Sequence, residues 1–428
     1  VIVIEHHRRP VTVVSLVLPR GALADPPSDA GLTEMAVALA SDYYERDKAG
    51  LPIDEEKSFR RQVAELGGAA GFEVGSDYSL LRISGYAQDT GAYLKMLAEA
   101  VIHPRHGKGS FSGRRNAALD AFEDLESSDP EAFQQVVADG AFGEGHPYAR
   151  SIAGTTASLT PLGLEDVIAH QERVLVPDGA TLVIVGDVDS TLVLAAARKA
   201  FEKWAGQRAA LPRVPPPALP ADTRTVGYLE RRSASTLVVC ATRPLADVHA
   251  SDAALDVLAA MLGEGTASRL GTVLRESNGL TYGASAQIVH RRHARALVAC
   301  SALKGKEAPL GVELFRKVLE RAQTAEPTPA ELERAKAVRL SELETAYETA
   351  LDASHTWVEA VAIGTGAPRL EQERAAIEKV TAAEVQKLAR SVLSLKTVRW
   401  VVSGDKLVAS RAIEATGVGR LHKISPGR

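Results

Sequence analysis

The chain has 428 residues, 45% of them apolar and 24% charged, with a formal net charge of −4. That length exceeds one ordinary core and implies two or more domains, and the composition excludes bulk disorder. The mild acidity excludes a basic footprint for nucleic acid and a polybasic membrane patch, and no apolar run is long enough to span a bilayer.

The first residues, Val-Ile-Val-Ile, lack a Met, which reads as a start left by processing or by a chosen boundary. Val1–Ile4 and Val11–Leu18 are β-branched runs, and the intervening Glu5-His6-His7-Arg8-Arg9-Pro10 reads as a hairpin turn. His6 and His7 are neighbours, so in a strand their side chains point to opposite faces and make a poor metal pair. Gly31–Glu45 follows a turn-rich lead and reads as a helix. Leu32, Met35, Ala36, Leu39 and Ala40 form its core-facing stripe. A loop and second helix over 50–65 end at Gly67-Gly68, suited to a cap and tight turn. Residues 69–86 alternate as a strand pair around Gly75-Ser76-Asp77, and Asp89–His103 is helical up to Pro104.

Phe111–Leu125 reads as a helix with Phe111, Ala118, Leu119, Phe122 and Leu125 on one side. Another starts at Asp129-Pro130 and runs to the segment 141–148. A helix over 164–176, a strand over Thr181–Val185 and a helix over 189–205 follow. Residues 206–222 hold five prolines and no periodicity, as an extended linker does. Beyond it the order recurs: strands over 225–242, helices at Ser251–Leu262 and Ser268–Glu276, a strand-rich stretch over Leu280–Ala302, and a helix over Val312–Ala325. Thr328-Pro329-Ala330-Glu331 then opens a long helix with a capping box. Its many Glu and Arg residues read as a solvated face. Cys240 and Cys300 lie in apolar strand-like runs and read as buried free thiols, and with no Cys-x-x-Cys a thiolate zinc site is not expected. His290-Arg291-Arg292-His293 lies between strand-like runs and reads as a hairpin turn and not a metal pair. Gly263-Glu264-Gly265 is too short for a phosphate loop, which argues against nucleotide binding.

An internal repeat organises the chain. AFGEGHP at 141–147 matches AIGTGAP at 362–368. In each half a helix and a strand follow, and the strand stops at Gly-Asp: TLVIVGD at 181–187 and RWVVSGD at 399–405. Gly186 lies 45 positions after Ala141, and Gly404 lies 42 after Ala362. The pattern predicts two homologous α+β halves, 1–205 and 223–428, hinged at 206–222.

This organisation resembles the M16 (pitrilysin-type) metallopeptidases. The resemblance rests on PRGALADPPSDAGL, Gly67-Gly68, GEGHPYARSIAGTTASL, VPDGATLVIVGDVD and, in the second half, SRLGTVLRESNGLTYGASA. It implies two halves of a LuxS/MPP-like metallohydrolase fold, each a mostly antiparallel sheet covered by helices. In that family two halves or subunits close over an unfolded peptide. Two His and a distant Glu hold zinc, and a Glu in His-x-x-Glu-His deprotonates the zinc-bound water. Here the first His position is Glu34, the base position Val37, the second His position Ala38, and the third ligand falls on Ala121. Asp120 is adjacent but rotated by about 100° on the helix. No metal or catalytic residue is therefore expected in this chain alone, and zinc is expected in a partner. Arg275 and Tyr282, in LRESNGLTY, match the family's Arg/Tyr element. There the Tyr donates to the forming oxyanion and the Arg grips substrate carbonyls. His146 in Gly-His-Pro-Tyr matches a family loop and orders the turn. The glycine-rich loop of the mitochondrial processing enzyme has no counterpart.

The resemblance thus implies a non-catalytic subunit that lends Arg275 and Tyr282 to a partner carrying His-x-x-Glu-His. The substrate would be an unfolded peptide, and paired bacterial relatives direct the expectation to the periplasm, with the cytoplasm as the other option. A structural or assembly protein, or a peptide-binding homodimer, is the competing expectation.

Overall fold

The computed structural model describes residues 1–41, 59–104, 108–125, 133, 137, 141–143, 145–207, 210–211, 213–219, 224–368 and 370–424. The expected continuation of the first helix to Glu45, the loop at 50–58 and most of the helix from Asp129 lie outside the described residues.

The strands form two sheets. The first contains β1 (Ile2–Glu5), β2 (Val11–Leu18), β3 (Ala69–Val74), β4 (Ser79–Tyr86) and β5 (Thr181–Gly186) in the order β1-β5-β2-β4-β3. The second contains β6 (Thr225–Glu230), β7 (Thr236–Pro244), β8 (Thr281–His290), β9 (Arg295–Lys304), β10 (Arg399–Gly404) and β11 (Arg420–Lys423) in the order β11-β6-β10-β7-β9-β8. Strand for strand the first order recurs in the second, with β11 added outside β6. In each sheet one early strand runs parallel to the strand that ends in Gly-Asp, and the pairs from there to β3 or β8 are antiparallel. The internal repeat is therefore a repeat of topology.

The expected hairpin of the first two runs does not form. β5 lies between them, parallel to β1 (Ile2 opposite Val183) and antiparallel to β2 (Thr12 opposite Gly186). Leu182–Val185 is buried on both faces and belongs at the centre of the sheet, so residues 6–10 must cross two strand spacings, about 9–10 Å. The His6 N–H donates to the Gly186 carbonyl (2.7 Å), and the His7 ring bonds Asp187 Oδ1 (2.7 Å).

One face of the first sheet carries α1 (Leu32–Ser41), α3 (Thr90–Ile102), α6 (Leu164–Val174) and α7 (Ser190–Phe201), around Val14, Leu16, Leu81, Ile83 and Ile184. α2 (Phe59–Glu65), α4 (Lys108–Leu125) and the single turn α5 (Thr156–Leu159) complete this half. The second sheet carries α8 (Asp252–Gly263), α9 (Ala308–Thr324), α13 (Ala382–Val392) and α14 (Lys406–Thr416). The Phe315 and Trp400 rings meet edge-on there at 5.6 Å. α10 (Pro329–Thr345) and α12 (Leu370–Lys379) pack outside α8.

The opposite face of each sheet is covered by the other half. α11 (Ala350–Ile363) lies across β2 and β5, with Ala350, Ala353 and Val358 against Val13, Val17, Val183 and Val185. Reciprocally, Phe133, Val137, Ala141 and Phe142 of the first half pack on Leu229, Val238, Val298 and the cysteines of the second sheet. β2, β5 and β7 are buried on both faces, so their sequences read as continuous apolar runs. The repeated AFG and AIG motifs are where these exchanged segments stop. Gly143 and Gly364 take φ of +97° and +79°, a left-handed conformation that favours glycine. His146 then orders the following turn. Its Nδ1 accepts from the Tyr148 N–H (3.1 Å), and Nε2 donates to the Pro215 carbonyl (2.9 Å) in the proline-rich segment. The described residues of 206–222 form neither helix nor strand.

Cys240 and Cys300 are not free thiols. They face one another across β7 and β9 and form a disulfide with an S–S length of 2.06 Å. Their positions in apolar runs indicate burial, but only the strand register brings the two together. No helix among the described residues is long and apolar enough to cross a membrane.

Candidate functional site

α1 is held at its start by Asp25. One carboxylate oxygen accepts from the Gly31 N–H (3.0 Å), and the other from the Thr33 N–H (2.7 Å) and hydroxyl (2.5 Å). His170 of α6 closes this buried cluster, with Nε2 2.8 Å from Thr33 Oγ1. A Gln171 side-chain N–H donates to the Ala36 carbonyl (2.7 Å), fixing α1 against α6. The sequence lead Asp25-Pro-Pro shows a turn, whereas the reach of Asp25 over eight residues appears only in the fold.

The positions that the resemblance assigns to a zinc site lie on this helix and on α4, which packs against it. Glu34 is largely buried. Burial foremost, with Asp25 and Glu73, pushes its carboxyl up to about 7 against the opposing charge of Arg114. Val37 and Ala38 are core residues at 0% and 4% exposure. Ala121 is exposed and has no donor atom. One carboxylate that tends toward neutrality, beside two apolar residues and an alanine, does not fit zinc, which needs three protein ligands. No group of three metal-ligating side chains occurs among the described residues.

The Arg275 and Tyr282 segment is built differently. Ser268–Glu276 was expected as an ordinary helix, but Gly271–Glu276 winds as a wider π-helical turn, a distortion that often accompanies functional sites. Arg269 fastens its start to α10 by a paired bond to Glu331 (2.8 and 3.3 Å). Burial opposes charge on Glu331, but Arg269 and the Thr328 N–H outweigh it and hold the carboxyl down at about 2. The chain then folds back, with the Gly279 N–H donating to the Arg275 carbonyl (2.9 Å) and the Leu280 N–H to Leu274 (2.8 Å). Gly279 has φ +62°.

At the next step the ladder between β8 and β9 slips between Thr281 and Ala284. Thr281 Oγ1 sits 2.7 Å from both the Gly283 and Ala302 carbonyls and accepts from the Gly283 N–H (3.1 Å). Ser301 Oγ adds bonds to Thr281 Oγ1 and the Gly283 carbonyl. This bulge turns Tyr282 out of the sheet, and Tyr282 is 88% exposed. The Arg275 side chain is half exposed and pairs with Glu276 (3.5 Å). The fold thus brings Arg275 and Tyr282 into one short surface segment at the free edge of the second sheet. The motif resemblance singles out the pair but does not reveal the bulge, whose makers, Thr281 and Ser301, lie on different strands.

Two sheets of repeated topology, each backed by helices, define a two-half α+β protein. Residues 161–339 match the family model of the peptidase M16 inactive domain. No curated protein matches it in sequence. Among solved structures it is similar to a peptidase M16 inactive domain from Pseudomonas fluorescens, with a TM-score of 0.82 and 20% identity over 94% of this chain and 95% of that one. It is also similar to a chain of Complex III2 from Candida albicans (TM-score 0.75, 12% identity, 96% of each chain). A third likeness is to the first half of the periplasmic protease PqqL from Escherichia coli, with a TM-score of 0.73 and 13% identity over 97% of this chain and 93% of that one.

Proposed function

We propose that this chain is the non-catalytic subunit of a two-subunit zinc peptidase. It forms one half of a chamber for unfolded peptides and lends Arg275 and Tyr282 to a partner that carries His-x-x-Glu-His. The observation that carries the reading is the bulge at Thr281–Ala284, which holds a large aromatic side chain in solvent at a cost in packing that a merely structural strand would avoid. In the closed assembly the Tyr282 hydroxyl donates to the carbonyl oxygen as it gains charge, and the Arg275 fork holds a neighbouring substrate carbonyl. This chain supplies no metal ligand and no base.

The proposed compartment is the periplasm. The Cys240–Cys300 disulfide supports an oxidising location, as does the likeness to a periplasmic protease. The competing reading, a structural subunit without catalytic part, draws on the likeness to a chain of Complex III2.

Metal content and casein hydrolysis, measured on the chain alone and mixed with its His-x-x-Glu-His partner, separate the two. The proposal expects no zinc and no hydrolysis alone, and more hydrolysis in the mixture than from the partner alone. A mixture no more active than the partner would leave the structural reading.

A further inference from the structure

A cleft of about 210 Å³ lies at the seam between the two halves. It is remote from Tyr282, because Tyr282 and His290 stand at opposite ends of β8, about 26 Å apart along the strand. Its walls are the β3–β4 turn with Arg82 of β4, the β8–β9 turn with Arg291, and one face of α11.

The walls are fastened together. The Arg292 N–H donates to Asp77 Oδ2 (3.1 Å), and its guanidinium donates to the Ala362 (3.0 Å) and Val361 (3.2 Å) carbonyls at the end of α11. The Tyr148 hydroxyl donates to Asp77 Oδ1 (2.7 Å) and accepts from the His293 N–H (3.2 Å). Tyr78 donates to Glu73. His355 accepts from Arg82 Nη1 (2.8 Å), in keeping with a ring whose pKa is lowered by burial and by that same guanidinium.

Three groups in the cleft are left over. Arg291 has no side-chain partner among the described residues, and its Nε is buried without an acceptor. Nη2 of Arg82 is likewise buried without an acceptor. Glu359, on α11, has no hydrogen bond or ion pair among the described residues and does not pair with Arg291. Beside them on α11 lie Val358, Ala362 and Ile363, an apolar floor. Two incompletely paired guanidinium groups, one unpaired carboxylate and a small apolar surface match a molecule that carries the complementary set.

We propose that this cleft binds a small zwitterion, an α-amino acid or the end of a short peptide with an aliphatic side chain. Its carboxylate meets Arg291 and Arg82, its ammonium meets Glu359, and its side chain rests on α11. A multiply charged phosphate is disfavoured by the carboxylates of Glu73, Asp77 and Glu359 in the same walls. A metal cation is disfavoured by the two guanidinium groups. Because the cleft is contributed by both halves and by the exchanged α11, an occupant ties the seam together.

Isothermal titration of the full chain with leucine and with Ala-Leu tests this, with Ala-Leu amide and N-acetyl-leucine as controls. Saturable binding of leucine or Ala-Leu is expected, and which of the two binds tells a free amino acid from a peptide end. The amide should lose at least tenfold in affinity, and so should the Arg291→Gln chain. Glu359→Gln, at an exposed position with no hydrogen bond or ion pair among the described residues, should weaken leucine or Ala-Leu severalfold and leave N-acetyl-leucine unchanged. The second variant keeps the test valid if Arg291→Gln disturbs folding. No binding of either ligand at millimolar concentration, or binding indifferent to both substitutions, would overturn the proposal.

Discussion

The fold treats the start of α1 and the start of β8 oppositely. Of the positions that the resemblance assigns to a metal site, those on α1 are largely taken into packing, while Ala121 of α4 is exposed. Val37 and Ala38 are core, and Glu34 is a buried carboxyl shifted toward neutrality. At β8 two polar side chains are kept out of the packing by a π turn and a bulge, each with its own hydrogen bonds. On the proposed function, the α1 segment has been given over to structure and the β8 segment is kept free for a partner.

Substitutions can break or sharpen this contrast. The largest effect falls on α1. Val37→Glu restores the base in name only, because it places an unpaired carboxylate in a filled core. We expect a loss of about 3–5 kcal/mol in urea unfolding. An unchanged midpoint would mean that the helix still faces an open site. Next is the support beneath β8. Removing the Cys240–Cys300 bridge, whose ends are 60 residues apart, should cost about 2–4 kcal/mol, measured as unfolding with and without reductant.

Smaller is the pH effect of Glu34. Burial raises its folded carboxyl from the ordinary 4.5 to about 7. The folded chain therefore holds this proton more tightly than the unfolded chain does. The Glu34 contribution is full below about pH 4.5 and is lost as pH rises through 7. Relative to Glu34→Gln, the native chain should lose about 2–3 kcal/mol between pH 4.5 and 8. Equal pH profiles would contradict the burial of this group. Smallest is the stability effect of Tyr282→Ala. With the side chain in solvent, the shift should stay within about 0.5 kcal/mol. A larger loss would make Tyr282 a packing residue and remove the contrast.

Much of the fold is legible in the sequence because local patterns set it. The capping box at Thr328, the strand pair around Gly75, the turn at His290–His293 and the repeated Gly-Asp strand ends all appear where periodicity and turn chemistry place them. What sequence does not carry is long-range pairing. β5 enters between β1 and β2 from about 170 residues away, and nothing in the five-residue connection announces it. The cysteine bridge depends in the same way on the β7–β9 register. The candidate site divides along the same line. Glu34, Val37, Ala38, Ala121, Arg275 and Tyr282 are singled out by their resemblance to a family's motifs. The devices that orient them, the Asp25 cap and the Thr281–Ser301 bulge, are made of residues far apart in sequence.

The central claim is that Tyr282 acts outside its own chain, and one measurement tests it directly. It is kcat of the reconstituted pair with Tyr282→Phe, at matched assembly and matched zinc in the partner. Loss of one oxyanion donor predicts a fall of about 10²–10³ in kcat with little change in the stability of this chain. An unchanged kcat in a fully assembled pair would contradict the account.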